Sequence, residues 1–225
     1  MRDVLTKSAA CYIRINKKAD MEHMQLENTD RALKEYYKQC EKDCDRAKKI
    51  LQEMDDPSPI ADLVREVIFY ARHLGQFEHT LAEAYTVTKR IEDCLFEHPR
   101  LMLELKQLQL ELVNYAEAIE GHDFNITDDL RKEITQLKAN IQAADEGRWD
   151  DIHDGRMLKS DPVEWTKEYE AVIDEADHEA YANLTDIPRG MGFCFGYWAE
   201  KRNALAKRGI EWMSPSEMNP GVMFD

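Results

Sequence analysis

IADLVREVIFYARHLGQFEHTLAEAYTVTKRIEDCL, residues 60–95, sets core-compatible side chains at Ile60, Leu63, Val67, Tyr70, Leu74, Phe77, Leu81, Ala84, Thr88, Ile91 and Leu95. Steps of three and four keep these positions on one stripe of a helix, whereas a strand would need a period of two. Sustained over five heptads, the stripe reads as a coiled-coil seam. Ser58-Pro59 gives a start signal, a capping residue followed by a proline whose missing N–H costs nothing in the first turn, and His98-Pro99 gives a stop. The expectation is one helix about 55 Å long, at about 1.5 Å per residue.

The same spacing continues on both sides. Leu33, Tyr37, Cys40, Cys44, Ala47, Leu51 and Met54 form a stripe before it, and Leu101, Leu105, Leu108, Leu112, Tyr115 and Ile119 form one after it. Leu103, Leu110 and Val113 lie off that last stripe, which suits a helix packed between neighbours. A fourth helix is expected over Ile126, Leu130, Ile134, Leu137, Ile141 and Ala144, with Thr127 as its cap and Asp128 and Asp129 at its positive end. Short connections imply that successive helices run antiparallel. The fold class is therefore all-α: an elongated antiparallel helical bundle or coiled coil over residues 1–146.

Composition changes at Gly147. Seven of the nine glycines, all four tryptophans and ten of the twenty aromatic residues lie from there to the end, so residues 147–225 read as a compact, aromatic-rich helical module. Asp161-Pro162-Val163-Glu164 has the form of a capping box, followed by Trp165, Tyr169, Val172, Ala176 and Ala180 on one face. The run from Gly190 to Trp198, GMGFCFGYW, resembles a nucleotide loop only in its glycines. No strand precedes it, and its third glycine falls one residue late for a dinucleotide fingerprint. It reads instead as a reversal that seats the last long helix through Met191, Phe195, Trp198 and Leu205. Acids before Leu184 face bases in the 200–208 segment, which favours an antiparallel pair.

The closing stretch GIEWMSPSEMNPGVMFD carries a left-handed cap at Gly209, a capping box at Ser214 to Glu217 and a Pro-Gly stop. Its apolar residues are too many to leave in water, so they seal the module or meet a partner. Trp198, Trp212, Met218 and Phe224 are the expected partner-binding residues, with Trp212 the preferred anchor because large amphipathic rings dominate interface energetics.

Charge and cysteine usage narrow the function. The chain has a formal charge of −15, and both portions are acidic, which opposes a phosphate-binding groove and excludes direct nucleic-acid binding as an expectation. Five cysteines without a CxxC spacing suit a reducing compartment, and no run of apolar residues is long enough for a membrane span; the expected location is cytoplasmic.

Chemistry-bearing motifs are fragmentary. GxSxG, HExxH and GxxxxGK[ST] are absent. Acid–histidine pairs at Asp20/His23, Asp150/His153 and Glu175/His178 do not supply the two inward Glu-x-x-His pairs of a bundle metal site. Glu117, Glu120 and Asp123 make half of the paired ExxE and ExxD helices that hold Mg²⁺ in all-helical nucleotide pyrophosphohydrolases, and no second half follows. Cys40 and Cys44 read as soft core fillers rather than a half metal site. Cys194 sits where a helix start would favour a thiolate, but its aromatic neighbours oppose this, so a structural role is expected.

The reading that follows is a non-enzymatic protein–protein interaction protein, an adaptor, assembly factor or inhibitor. It is expected to need no cofactor and no metal, to have a protein partner and no membrane contact, and to be able to pair with itself through its heptad helices. Two rivals stand beside it: a small metal- or cysteine-dependent enzyme, and an acidic mimic of nucleic acid that blocks a nucleic-acid-binding protein.

Overall fold

The computed structural model describes residues 2–153, 155 and 157–224, with side chains from Glu27 on. The chain is all-α: among the described residues there are nine α-helices and no strand. The long helices are α1 (Arg2–Gln52), α2 (Ile60–Leu74), α3 (Leu81–Glu92), α4 (Pro99–Glu120) and α5 (Thr127–Asp145). Four more follow: α6 (Lys167–Glu170), α7 (Ile173–Ala182), α8 (Phe193–Lys207) and α9 (Pro215–Met218). Cys11 and the Asp20/His23 pair lie outside the residues whose side chains are described.

The stretch 60–95 is not one helix. It breaks after Leu74 and folds back, so that α2 and α3 form a hairpin against α1. Three features make the break. Gly75 lets α4 approach so closely that an added Cβ would lie 2.3 Å from Leu112 Cδ2. Phe77 takes extended backbone angles. The Thr80 hydroxyl donates to the carbonyls of Leu74, at 2.6 Å, and Phe77, which satisfies groups that a continuous helix would have paired internally.

The seam positions nevertheless stay inside: Ile60, Leu63, Val67, Leu74, Leu81, Ala84, Thr88, Ile91 and Leu95 are all buried. A heptad spacing reports which face is apolar and carries no information on whether the helix is continuous. Contacts between helices fix the directions. Arg90 of α3 reaches Glu41 and Asp45 of α1, Lys106 of α4 joins Glu92 of α3 to Glu133 of α5, and Arg100 meets Asp145. Successive helices from α1 to α5 thus run up and down, as short connections require. Thr127 does not cap α5; its hydroxyl donates to Glu117 across the α4–α5 corner at 2.7 Å.

A second apolar cluster lies in the terminal region, built from Tyr169, Ile173, Ala176, Ala204, Leu205, Ile210 and Trp212. There α7 and α8 pack together, and Glu179 accepts from both Lys207 and Arg208, the charge complementarity anticipated between these helices. The expected docking stripe of α8 is corrected. Its inward face is Phe193, Lys201, Ala204 and Leu205, while Met191 and Phe195 are exposed. Leu205 is buried as expected and Trp198 packs half-buried against the cluster, so the apolar count failed only at Met191 and Phe195, and it missed the lysine that occupies the core phase of the helix.

Leu74 closes the first core at 0% exposure. Leu74→Asp removes a buried apolar side chain and inserts an unpaired charge, so a loss of at least about 3 kcal/mol is expected. Urea unfolding followed by circular dichroism checks it.

Candidate functional site

The corner between α3 and α4, Phe96 to Leu101, is where the terminal helices meet the bundle. Glu97 there takes a positive φ of 60°, a left-handed conformation that costs a non-glycine residue roughly 1–2 kcal/mol. Its carboxylate is well engaged: Tyr169 OH donates to Oε1 at 3.1 Å and Lys201 Nζ donates to Oε2 at 2.6 Å. Lys201 is buried, and Nζ also lies 3.1 Å from Asp177 Oδ1 and 3.3 Å from Tyr197 OH. Tyr197 OH in turn donates to Asp177 Oδ1 at 2.6 Å. The indole of Trp212 lies under the ammonium, with its centroid 5.3 Å away, a cation–π distance.

Burial drives the ionisation of this cluster. It pushes Asp177 up to about 6 against the pull of Lys201, and it raises the Tyr169 and Tyr197 phenols further. Burial also opposes the charged forms of Glu97 and Lys201, but the neighbouring charges outweigh it: Lys201 holds Glu97 low, and Asp177 with Glu97 holds Lys201 high.

Two neighbouring contacts strengthen the same corner. Glu170 of α6 accepts the backbone N–H groups of Arg100 and Leu101 at 3.2 and 3.1 Å, an anionic cap at the positive end of α4. His98, buried, takes a 2.7 Å contact from Nδ1 to the Phe96 carbonyl and sets Nε2 3.0 Å from Asp174 Oδ1. Burial opposes the charged imidazole, but Asp174 outweighs it and raises the His98 pKa.

Beside the corner lies a cavity of about 420 Å³ lined by Leu95, Phe96, Met102, Leu137 and Trp165. Three of the acids at its edge are engaged: Glu92 by Lys106 and Gln109, Glu164 by the indole N–H of Trp212 and Glu97 as above. Among the described residues, no three His, Cys, Asp or Glu side chains are placed to hold a metal ion.

The flank of α8 beside its buried face carries a partly exposed aromatic ridge, with Phe195 exposed and Trp198 and Phe224 half-buried. Phe195 stacks edge-on against Trp198 at 5.5 Å, and Trp198 against Phe224 at 5.1 Å. Met191 and Met223 stand more than nine-tenths exposed, with Phe195 and Met213 about half exposed. The tail that brings Phe224 here is pinned by polar bonds. Asp161 accepts from Val163 N and Met213 N, Asn219 bonds both backbone groups of Lys159, and Glu217 closes the expected capping box with Ser214 while pairing with Arg202.

Of the four residues expected at a partner surface, Trp198 and Phe224 meet on this ridge. Met218, half-buried, sits on α9, and Trp212 is buried, its Nε1 donating to Glu164 at 3.0 Å. Trp212 therefore supports the ridge from inside the module. The supposed Asp161–Glu164 capping box is half formed, because Glu164 turns inward to that indole. Cys194 is half-buried in the first turn of α8. Sequence reasoning missed Glu97, Asp177 and Lys201; the available signal was a lysine four residues after Tyr197 and four before Leu205, in the apolar phase of α8.

No family model matches the chain, and searches of curated proteins and of solved structures give no match.

Lys201→Met would leave Glu97 and Asp177 facing each other without a counter-charge. Removing one member of such a buried group costs about 3–5 kcal/mol, and chemical denaturation at neutral pH measures it.

Proposed function

We propose that the protein is a non-enzymatic interaction protein, an adaptor, assembly factor or inhibitor, that holds a protein partner on the aromatic ridge of α8. One observation carries the reading: Phe195, Trp198 and Phe224 form a continuous edge-to-face ladder at the surface, flanked by the exposed Met191 and Met223. Ordered aromatic residues lose little conformational entropy on contact, and methionines adapt to an apolar surface, so such a ridge is suited to macromolecular recognition.

The favoured partner is a protein with an apolar patch and basic flanks. A formal charge of −15 raises the encounter rate with such a surface, while the buried apolar contact supplies most of the affinity. Four described cysteines are free thiols, which accords with work in a reducing compartment such as the cytoplasm. No described helix is long and apolar enough to cross a membrane.

A photo-reactive side chain at position 191 in the full chain, expressed in the cells that make it, identifies the partner by cross-linking. The purified partner is then titrated with wild type and with a Met191→Ser, Phe195→Ser double variant. The expected result is a roughly tenfold or greater loss of affinity with an unchanged melting temperature, and a wild-type affinity that salt weakens only in part, through the steering charges. Retained affinity overturns the ridge reading, and retained affinity that collapses with salt favours the nucleic-acid mimic instead.

A further inference from the structure

The buried cluster at the α3–α4 corner is not balanced in charge. Lys201 brings one positive charge to two carboxylates, Glu97 and Asp177. The two phenols that complete it, Tyr169 and Tyr197, are neutral donors. Around this centre, α7 adds Asp174 beside His98, and the segment before α6 adds the buried Glu164. Glu170 is matched by Arg100. On the far side, the α1–α2 link contributes Asp55 and Asp56 toward Tyr181, with Arg189 over the same ring, and Asp56 reaches His178 at 2.8 Å. Among the described residues named here, acids outnumber bases.

We infer that the seam between the helical bundle and the terminal helices is a proton-responsive joint, which tightens when the buried Asp177 and His98 take up protons and loosens as they lose them. The proton on Asp177 turns a net-negative triad into a balanced Lys201–Glu97 pair and keeps an oxygen for Tyr197 and Lys201. The proton on His98 places a cation against Asp174. Both events occur between the α3–α4 corner and α7, so both act on the same joint.

The sign follows from linkage. The Asp177 carboxyl is raised from 3.8 to about 6, so its contribution is fully present below 3.8 and is lost as the pH climbs through about 6. His98 is also raised, so its contribution is present below the ordinary imidazole value of about 6.5 and disappears at higher pH. Glu92, Glu97 and Glu217 are lowered. Their contributions are present above the model-compound carboxyl range and are lost only in stronger acid, so they stay constant across the window in which the joint responds. General relief of the −15 charge on acidification also favours the compact state. A variant at position 177 separates that background from the joint.

Asp177→Asn mimics the protonated acid. Melting temperatures of the full chain are compared between wild type and Asp177→Asn at a pH of about 7.5 and of about 5. The expected result runs against the usual effect of removing an ion pair: the Asn variant melts higher than wild type at the higher pH, and the gap narrows at the lower one. A variant that melts below wild type by the same margin at both values overturns the inference. The wild-type protein supplies a second readout, in case the variant does not fold. Hydrogen exchange of α7 and α8 amides, corrected for intrinsic rates, is expected to slow several-fold on acidification; protection that is flat or that falls overturns the inference as well. His98→Gln in the same assay removes the upper part of the response if the imidazole carries it.

Discussion

The ammonium of Lys201 has three N–H donors, and the three acceptors around it come from three separate places: Glu97 on the α3–α4 corner, Asp177 on α7 and Tyr197 one turn earlier on α8. A buried charge must be paired and hydrogen-bonded to be tolerated. The corner, α7 and α8 are therefore obliged to meet at one point. The unfavourable left-handed backbone at Glu97 fits this demand, since it presents the carboxylate to both Tyr169 and Lys201. Strain of this kind persists where the surroundings over-determine it.

The exposed ridge is a consequence of the same constraint. Once Phe193, Lys201, Ala204 and Leu205 are committed to the interior, the geometry of a helix leaves residues 195 and 198 on the next flank. Phe195, stacked on Trp198 along one edge, stays about half exposed. The tail then passes over the helix because its polar residues are tied elsewhere, Asn219 to Lys159 and Glu217 to Ser214 and Arg202. Those ties settle which of the terminal apolar side chains go in and which stay out. Trp212 is drawn under the module by Glu164, and Phe224 is laid on Trp198.

Periodicity made most of the apolar faces of α1 to α5 legible, down to individual seam residues such as Leu63, Val67, Ala84 and Ile91, while the stripe ends Met54, Tyr115 and Ile119 stand exposed. It did not reveal the fold-back at Gly75, which depends on a side chain from α4, Leu112, thirty-seven positions away. Local capping signals were readable where both partners are local, as at Ser214 and Glu217. They misled where a distant group competes: Thr127 goes to Glu117 and Glu164 to Trp212. The ionic joint was illegible for the same reason. A hydrophobicity count sends Lys201 and Asp177 to water, because the partners that make their burial tolerable lie far along the chain, Glu97 being 104 residues from Lys201.

Apolar packing and the ionic joint restrict the terminal helices in different ways. Leu205, Ile173 and Trp212 bury surface without strong directional demands, and apolar side chains of this kind can repack in shifted registers at modest cost. The ammonium cannot. Sliding α8 by one turn would carry Nζ about 5.4 Å along the helix axis, beyond hydrogen-bond reach of Glu97, Asp177 and Tyr197 together, and would strand one cation and two anions in a medium of low dielectric. The penalty for the wrong register is thus much steeper than apolar packing alone would impose, even though an uncharged core of the same volume could be equally stable. The joint fixes where α8 stands, and the positions of Phe195 and Trp198 at the surface are fixed with it.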